Sequence, residues 1–337
     1  MCPRRRRKFS PATRHRVAAG VTQAMDRKVE RWGLWTGSRP DTEESVDAHL
    51  ALRSYRALRV LGEGGMSKVW LARHVRTGAL VAVKTMKEES RGEAARLIRE
   101  ARLARRVVHP NVLRVRELLR APGGQVALVM DYLVGESLAT NLARGRALPL
   151  LVAARLGCAL AAALDATHRA GVVHRDVKPD NVLLAERGSE LQATLVDFGV
   201  ATCAHWSGPG GAADCVGTPS YMAPEQIQGL AVDGRADVFS LGVVLFECLA
   251  GLNPFEGVDL VDTFRRTLAP APSLARFAPS LPAPIIELVD GMLRTDRETR
   301  LSNLRRVYDT LLASAHEPAV DVAWLGEAST ARWLEVA

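Results

Sequence analysis

The stretch from Val172 to Gly199 constrains the fold of this chain more than any other part of it. It contains two short apolar runs, Val182–Leu184 and Ala193–Val196, and each adjoins a loop that is rich in Asp, Asn, Lys and His. Short apolar runs bounded by polar residues predict buried strands. Loops held by such a scaffold are where proteins commonly place their chemistry. We therefore expect the polar side chains of this stretch to form the functional site.

Four polar residues of this stretch indicate what it binds. Asp176, Lys178 and Asn181 fall within six positions, and Asp197 follows the second apolar run. Carboxylate and carboxamide oxygens suit Mg²⁺, whereas zinc would require Cys and His. A nearby lysine adds a positive charge that can hold a phosphate group. The pattern predicts a site for a magnesium ion and a phosphate.

The order and spacing of these residues resemble one known family. HRDVKPDN at residues 174–181, followed by VDFG at residues 196–199, is similar to the catalytic loop and metal loop of the Hanks-type (eukaryotic-like) protein kinases. The resemblance covers about residues 55–312, and the Gly-Gly-Met-Ser loop at residues 64–67 favours the bacterial serine/threonine branch. It implies an α+β, bilobal protein-kinase fold with a β-rich small lobe and a mainly helical large lobe.

The resemblance also implies an activity and its cofactors. Such a kinase transfers the γ-phosphoryl group of ATP to serine or threonine hydroxyls of protein substrates, including its own chain, with Mg²⁺, or Mn²⁺ in its place. Asp176 is then the catalytic base, and Lys178 stabilises the transferring phosphoryl group. Asn181 and Asp197 hold the metal ions. Lys178 also distinguishes serine/threonine kinases from tyrosine kinases, so we expect hydroxyls of the first kind as acceptors.

Three predicted strands, at residues 55–61, 67–74 and 80–86, begin the small lobe. The turn between the first two resembles the glycine-rich loop of kinases, except that Ser67 stands where the third glycine is expected. Serine is small enough to let the backbone approach the phosphates of a nucleotide. The implied nucleotide contacts come from this loop, the third strand, the next helix and the hinge: Leu61, Gly62, Glu63, Gly64, Gly65, Met66, Ser67, Lys68, Val69, Ala82, Lys84, Glu100, Met130, Asp131 and Leu133.

Lys84 and Glu100 are predicted to pair. Strand alternation directs Val81 and Val83 to one face, and Ala82 and Lys84 to the other. In the helix predicted at residues 93–107, the inward positions are Leu97, Ala101, Ala104 and Val108. Glu100 shares this apolar side, where a carboxylate needs a cationic partner. A lysine at a strand end more commonly points to water, but the resemblance also implies this pair, with Lys84 on the α- and β-phosphates.

The chain divides into five predicted regions. Residues 1–54 form a basic extension that is disordered or partly helical, and residues 313–337 form a tail. Between them lies the kinase domain, with a small lobe (55–130), a hinge (131–134) and a large lobe (135–312). In the large lobe, Ala- and Leu-rich patterns predict buried helices at residues 152–168 and 237–250.

Charge is concentrated in the extension. Residues 4–31 carry ten Lys and Arg against two acidic residues, which accounts for the net charge of +8 of the whole chain. The rest is close to neutral, so we expect no nucleic-acid partner for the folded body. The basic run either docks on an acidic partner or is a solvated tail, and the second is the commoner fate of such runs.

Regulatory and supporting roles are implied for a further group of residues. Glu225 is expected to pair with Arg300, and Asp237 is expected to brace the backbone of the catalytic loop. Arg175 of that loop is expected to bind a phosphate group on the activation segment. His174 is interpreted as a structural hydrogen-bonding residue. We hypothesise that Asp214 partly replaces that phosphate; phosphorylation of Ser207 or Thr218 is the alternative. The activation-segment candidates are Thr202, Ser207, Asp214 and Thr218.

The sequence also predicts the cellular compartment and disfavours two other functions. The longest apolar run, Leu241–Leu249, contains Glu247, and no apolar segment follows the N-terminal arginines, so we expect a cytoplasmic protein without a membrane span. Five cysteines without metal-ligand spacing fit a reducing compartment. An ATP-binding scaffold without transfer is disfavoured because Lys84, Asp176 and the metal ligands are all present. A small-molecule phosphotransferase is disfavoured by Lys178 and the segment 217–225.

Overall fold

The computed structural model describes most of the predicted kinase domain. It describes residues 54–63, 67–86, 91–120, 126–145, 147–187, 190–197 and 219–314. The basic extension, Thr202, Ser207, Asp214, Thr218 and the tail lie outside these residues, so the expectations for them stay predictions. Gly64, Gly65 and Met66 of the glycine-rich loop also lie outside them.

The small lobe is built on a five-stranded antiparallel sheet with the strand order β1-β2-β3-β5-β4. Two of the strands, at residues 67–74 and 80–86, have the predicted bounds, and a short turn joins them. The strands are β1 (Tyr55–Glu63), β2 (Ser67–His74), β3 (Leu80–Met86), β4 (Val115–Arg120) and β5 (Val126–Asp131).

Alternation along β3 separates its side chains as the sequence predicts. Val81 and Val83 are fully buried and pack with Trp70 in a small core on one face of the sheet. Ala82 joins the main core on the other face, and Lys84 is buried there to 9% exposure. A lysine this deeply buried needs an anionic neighbour. The alternation of β3 therefore directs Lys84 to the face of the sheet that carries the predicted site.

Helix α1 (Arg91–Ala104) crosses behind this sheet and corrects one prediction. Leu97, Ala101 and Ala104 are buried as expected, but Val108 is 89% exposed. The helix ends at Ala104, and Pro110 in addition disfavours helical geometry at His109. Val107 takes the inward position after the helix ends.

The segment between α1 and β4 corrects a second prediction. The apolar pattern of residues 111–119 predicts a fourth strand that begins at Asn111, yet β4 begins at Val115. Val112 instead forms a parallel bridge with Leu195 of the large lobe. The Leu195 N–H donates to the Asn111 carbonyl at 2.8 Å, and the Leu113 N–H donates to the Leu195 carbonyl at 2.9 Å. This segment therefore ties the small lobe to the strand that leads to Asp197.

The large lobe is mainly helical and carries a small antiparallel sheet of order β6-β7-β8. Its elements follow the hinge directly. They are β6 (Gly135–Ser137), α2 (Leu138–Leu142), α3 (Leu150–Arg169), β7 (Val182–Arg187), β8 (Glu190–Leu195), α4 (Pro224–Ile227), α5 (Gly234–Ala250), α6 (Leu260–Leu268), α7 (Ala283–Met292) and α8 (Leu304–Ser314).

Helix α5 is the centre of this lobe. It begins after Asp233, whose side chain accepts from the Arg235 N–H, and ends at Gly251, which has a φ of +75°. Such a left-handed residue ends a helix at little cost only when it is glycine. Almost every side chain between these ends is buried, and each large apolar one contributes about 1.5–3 kcal/mol. Any polar residue on this helix is consequently held rigidly.

Helix α3 packs between α5 and α8. The close approach requires glycine at position 157, where a Cβ atom would lie 2.6 Å from a methyl group of Leu311 and 2.9 Å from one of Leu245. Within the described residues, α3 is also the one helix that is long and apolar enough to cross a membrane. Because 67% of its most apolar window is buried inside the protein, we interpret it as a core helix.

The α+β, two-lobed architecture confirms the predicted fold class. A sheet with one helix precedes the hinge, and a helical lobe follows it. The loops that carry Asp176 and Asp197 flank the small sheet β6-β7-β8, next to the segment that links the two lobes.

Candidate active site

The catalytic loop connects α3 to β7 and contains a strained residue. Arg175 has a φ of +69°, and Asp197 on the neighbouring loop has a φ of +52°. These are the two non-glycine residues with positive φ among the residues that the structure describes. A left-handed conformation without glycine costs roughly 1–3 kcal/mol and persists only where the surroundings enforce it. Both residues adjoin or form part of the predicted site.

Asp237 enforces the shape of the catalytic loop from within α5. Its carboxylate is fully buried and accepts from the backbone N–H groups of His174, at 2.8 Å, and Arg175, at 2.7 Å. The His168 ring donates to the same carboxylate from Nε2 at 2.7 Å. Hydrogen bonds to a charged acceptor are about twice as strong as neutral ones. The predicted bracing contact is thus present, with His168 as a third donor.

The carboxylate of Asp176 is held by its two predicted neighbours. Lys178 Nζ lies 3.0 and 2.9 Å from its two oxygens, and Asn181 Nδ2 donates to Oδ2 at 2.8 Å. Asn181 Nδ2 also donates to the Asp176 carbonyl at 2.8 Å. The side chain of Asp176 keeps 21% exposure, so a substrate hydroxyl can reach it. The structure therefore brings together the predicted base, a cation and an amide in one loop.

Lys84 and Asp197 form an ion pair between the two lobes. Lys84 Nζ lies 3.0 Å from Asp197 Oδ1. Burial acts to raise the pKa of Asp197, but the charge and hydrogen bond of Lys84, together with smaller effects of neighbouring cationic groups, outweigh it, and the pKa lies below its ordinary value. Asp197 is therefore a carboxylate at neutral pH. The backbone of Glu100 lies in α1, but its side chain is outside the described residues, so its pairing with Lys84 stays a prediction.

The donor atoms fit a hard cation. Asn181 uses its amide nitrogen on Asp176, which leaves its amide oxygen for a metal ion. Asp197 presents a carboxylate that is 39% exposed. An amide oxygen and a carboxylate are ligands that Mg²⁺ accepts through one or two protein groups, with the remaining positions left to phosphate and water. In the described residues there is no cluster of three His, Cys, Asp or Glu that would favour a softer metal.

The predicted nucleotide pocket lies between the sheet and the hinge. Ala82 and Met130 are adjacent across β3 and β5 and are buried. The N–H of Asp131 already donates to the Arg114 carbonyl at 3.0 Å, so only its carbonyl can serve a nucleotide. Leu133 lies just beyond the strand and is half-buried. Buried apolar side chains beside the backbone of a hinge are suited to binding a flat heterocycle.

The two strands that flank the glycine-rich loop pair up to its edge, after a register shift between Val60 and Gly62. Gly62 pairs with Val69, and Glu63 pairs with Lys68, whose Nζ lies 3.5 Å from the Glu63 carboxylate. Leu61 and Val69 pack against the main core. Ser67 begins β2. The serine that replaces the third glycine is therefore accommodated in a regular strand.

His174 connects the two loops of the site. The Asp176 N–H donates to its Nδ1 at 3.3 Å, so Nε2 carries the proton and donates to the Val196 carbonyl at 3.2 Å. The ring is 1% exposed. Burial lowers its pKa, although nearby carboxylates oppose this, and the imidazole is neutral at pH 7. This is the structural role that the sequence predicted for it.

The neutral His174 predicts that the protein loses stability in mild acid. The unfolded chain binds a proton at this histidine near pH 6.5, while the folded chain does not, so the free energy of unfolding falls as pH drops below that value. Between pH 7 and 5.5 the contribution is at most about 1 kcal/mol. We expect His174→Asn to show a correspondingly smaller pH dependence in urea denaturation. The pKa of His109 is also lowered by burial, but that contribution is common to both proteins and cancels. Equal pH dependence in the two proteins would contradict the assignment.

Glu225 and Arg300 form a buried ion pair below the site. Their side chains are 4% and 0% exposed, and the guanidinium meets the carboxylate through two bonds of 2.7 and 3.0 Å. The remaining guanidinium donors go to backbone carbonyls, and the group lies 5.0 Å from the Phe239 ring centroid. The pair anchors the end of the activation segment to the large lobe.

Two residues that support the catalytic loop, one directly and one through Asp237, were not predicted. His168 lies in the last turn of α3 and reaches Asp237. Gln226 directly follows Ala-Pro-Glu, and its Nε2 donates to the Arg175 carbonyl at 3.0 Å. Histidines at helix ends and glutamines in short helices are common at protein surfaces. Neither residue type therefore indicates, from the sequence, a contact near the catalytic loop. The burial of Gln226, at 6% exposure, is seen only in the structure.

The sequence is similar to that of known protein kinases. Residues 55–313 match the family model described as a protein kinase domain. The serine/threonine-protein kinase PkaA of Streptomyces coelicolor is 37% identical over 262 residues, which cover 73% of this chain and 48% of the relative. The serine/threonine-protein kinase pkn2 of Myxococcus xanthus is 37% identical over 278 residues, which cover 78% and 32%. CBL-interacting protein kinase 4 of Oryza sativa subsp. japonica is 38% identical over 259 residues, which cover 74% and 56%. The chain spans about half or less of the length of the two bacterial relatives.

Proposed function

Because the chain belongs to the protein kinase family and resembles its Hanks-type bacterial serine/threonine members, we propose that it transfers the γ-phosphoryl group of ATP to protein serine and threonine hydroxyls. Its own chain is included among the substrates. One observation carries the proposal above the others: Lys178 and Asn181 both hold the carboxylate of Asp176. That carboxylate is fixed in direction and still open to solvent, as a general base must be.

The residues of the loop divide the chemistry between them. Asp176 orients the substrate hydroxyl and accepts its proton, and its position is set by the Asp237 bonds to the two preceding N–H groups. Lys178 lies beside the base and supplies positive charge where the transferred group develops negative charge. His174, being neutral and fully enclosed, holds the two loops together and takes no part in proton transfer.

The nucleotide and its metal are held from both lobes. Lys84 is positioned by β3 for the phosphates, and the implied hinge contacts are the carbonyl of Asp131 and the backbone of Leu133. We assign Mg²⁺ to the amide oxygen of Asn181 and the carboxylate of Asp197, with Mn²⁺ as a substitute. When bound, the cation neutralises phosphate charge as the phosphoryl group moves. Because ATP is a cytoplasmic nucleotide, we also assign the domain to the cytoplasm.

Regulation through the activation segment remains part of the proposal. Arg175 has an exposed side chain, and within the described part of the chain its guanidinium contacts no acidic group. This leaves it available for a phosphate on Thr202, Ser207 or Thr218, or for the carboxylate of Asp214. Asp214 offers a single charge and fewer acceptor atoms than a phosphate, so it would give a weaker contact. Unchanged activity in Asp214→Ala would exclude the second alternative.

Phosphoryl transfer by the purified chain tests the proposal. With ATP and Mg²⁺ we expect phosphate on serine and threonine of a generic acceptor protein and of the chain itself. Removal of Mg²⁺ by EDTA should lower the rate by about 100-fold or more, because the metal contributes several kcal/mol to the transition state. Radiolabel incorporation measures the rate, and mass spectrometry identifies the sites. ATP binding without any transfer would instead favour a scaffold.

A further inference from the structure

The strained peptide of Arg175 is held at both ends by buried side chains. Its N–H donates to Asp237 Oδ1 at 2.7 Å, and its carbonyl accepts from Gln226 Nε2 at 3.0 Å. The two side chains come from different elements, α5 and α4. Because Arg175 has a φ of +69°, a looser grip would let it relax toward the ordinary range. Asp176 is the next residue, so such a relaxation would redirect its carboxylate.

The orientation of the Gln226 amide is itself determined. Its Oε1 accepts from the Ala223 N–H at 3.0 Å, at the start of α4. This bond fixes which end of the amide faces the catalytic loop, and the end that does so is the donor. The side chain is 6% exposed, so water does not compete freely for the Arg175 carbonyl. Gln226 therefore bridges the end of the activation segment and the loop that carries the base.

We propose that Gln226 is a positioning residue for phosphoryl transfer, which acts by holding the Arg175 carbonyl and through it the direction of Asp176. The inference rests on the proposed kinase activity. It adds a link between two parts of the site: α4 follows the segment 217–223, which we expect to seat the substrate, and the catalytic loop carries the base. Movement at the substrate-seating end is then transmitted to Asp176 through one amide group.

Two substitutions separate this role from that of a helix cap. Gln226→Glu keeps an oxygen for the Ala223 N–H but replaces the donor by a second oxygen that faces the Arg175 carbonyl. Gln226→Met has a similar length and removes both bonds without adding charge. If Gln226 only caps α4, the Gln226→Glu variant should be fully active and the Gln226→Met variant should be impaired. If it positions the loop, both should be impaired. Gln228→Glu is the control, since Gln228 is exposed at the end of the same helix.

Steady-state kinetics on the full chain should show a loss in turnover and not in nucleotide binding. We expect kcat to fall about 10- to 100-fold in both Gln226 variants, because a displacement of about 1 Å at the base has an effect of this size. The KM for ATP should stay within about twofold, since the Lys84–Asp197 pair and the hinge are untouched. Gln228→Glu should match the wild type in both constants.

Hydrogen exchange provides a readout that does not depend on activity. The Arg175 N–H is bonded to Asp237 and the Asp176 N–H to His174. In peptides that span residues 172–181, we expect these amides to exchange at least about tenfold faster in the Gln226 variants than in the wild type or in Gln228→Glu. Exchange at the remote strands β1 and β2 should be unchanged, which separates local release from general unfolding.

The outcomes are distinguishable. Wild-type kcat in Gln226→Glu, or wild-type exchange in both Gln226 variants, would overturn the positioning role. If the wild type itself transfers no phosphate, the proposed function fails, and the exchange of the catalytic loop still decides whether Gln226 holds it. Lower kcat together with faster local exchange would establish the link.

Discussion

Asp176→Asn is expected to lower kcat for phosphoryl transfer by about 10²- to 10⁴-fold, the range that a general base contributes. Asparagine has the same size but cannot accept the proton of the substrate hydroxyl. In addition, its amide group would place a donor against Lys178 Nζ or Asn181 Nδ2, which now both donate to the carboxylate. The loss should appear equally in kcat and kcat/KM, because the interaction belongs to the transition state.

The control for this substitution is Asp165→Asn. Asp165 lies on α3 and pairs with Arg169 at the surface, where an ion pair contributes little. We expect its kcat to stay within about twofold of the wild type. Radiolabel transfer gives the rates, and ATP affinity, measured by fluorescent-nucleotide displacement, should be retained in both variants. Transfer by Asp176→Asn at more than a tenth of the wild-type rate would contradict the assignment of Asp176 as the base.

Arg300→Met is expected to produce the largest loss of stability, about 3–5 kcal/mol in the free energy of unfolding. The substitution leaves the Glu225 carboxylate, at 4% exposure, without its cation. It also leaves carbonyls of Arg294, Arg235 and Thr295 without their donor. Since a domain has only about 5–15 kcal/mol of stability, the variant should unfold at a clearly lower urea concentration.

A second arginine–carboxylate pair supplies the matched control. Arg305 and Asp309 form an ion pair at the surface of α8, with 77% and 52% exposure. Arg305→Met should change the free energy of unfolding by less than about 1 kcal/mol, because water already solvates both charges. Urea denaturation of both variants gives the comparison. A loss below about 1 kcal/mol in Arg300→Met would show that Glu225 finds another partner. Replacing both members, Glu225→Gln with Arg300→Met, should recover part of the loss.

Asp176→Asn is expected to affect kcat and Arg300→Met the free energy of unfolding, because the two residues differ in their surroundings. Asp176 is partly exposed at the end of a loop, and its loss removes chemistry without exposing the core. Arg300 is enclosed by α5 and the segments around it, and its loss leaves buried charge. Gln226 follows Glu225 directly, so the buried pair also determines where the Gln226 amide lies.

Much of the site could be predicted because its members are close in sequence. Asp176, Lys178 and Asn181 lie in one loop, and their contacts need only a turn of a few residues. The two faces of β3 followed from alternation, which is a property of any strand. Val108 shows the limit of such local reasoning. A helical period extended to that residue predicted burial, but the helix ends four residues earlier, and Val108 is exposed.

The sequence by itself determined the chemical groups of the site, their order along the chain and the alternation that turns Lys84 toward the functional face. Tertiary structure decided which distant groups meet, and among the following pairs only Glu225–Arg300 had been implied beforehand, by the family resemblance and not by residue spacing. Lys84 and Asp197 are 113 residues apart, Glu225 and Arg300 are 75 apart, and His168 and Asp237 are 69 apart. Gln226 reaches Arg175 across 51 residues. Sequence separation carries no information about such distances, which depend on how α3, α4 and α5 pack around a shared core. A buried polar side chain finds its partner only when that packing has brought the partner within hydrogen-bonding distance.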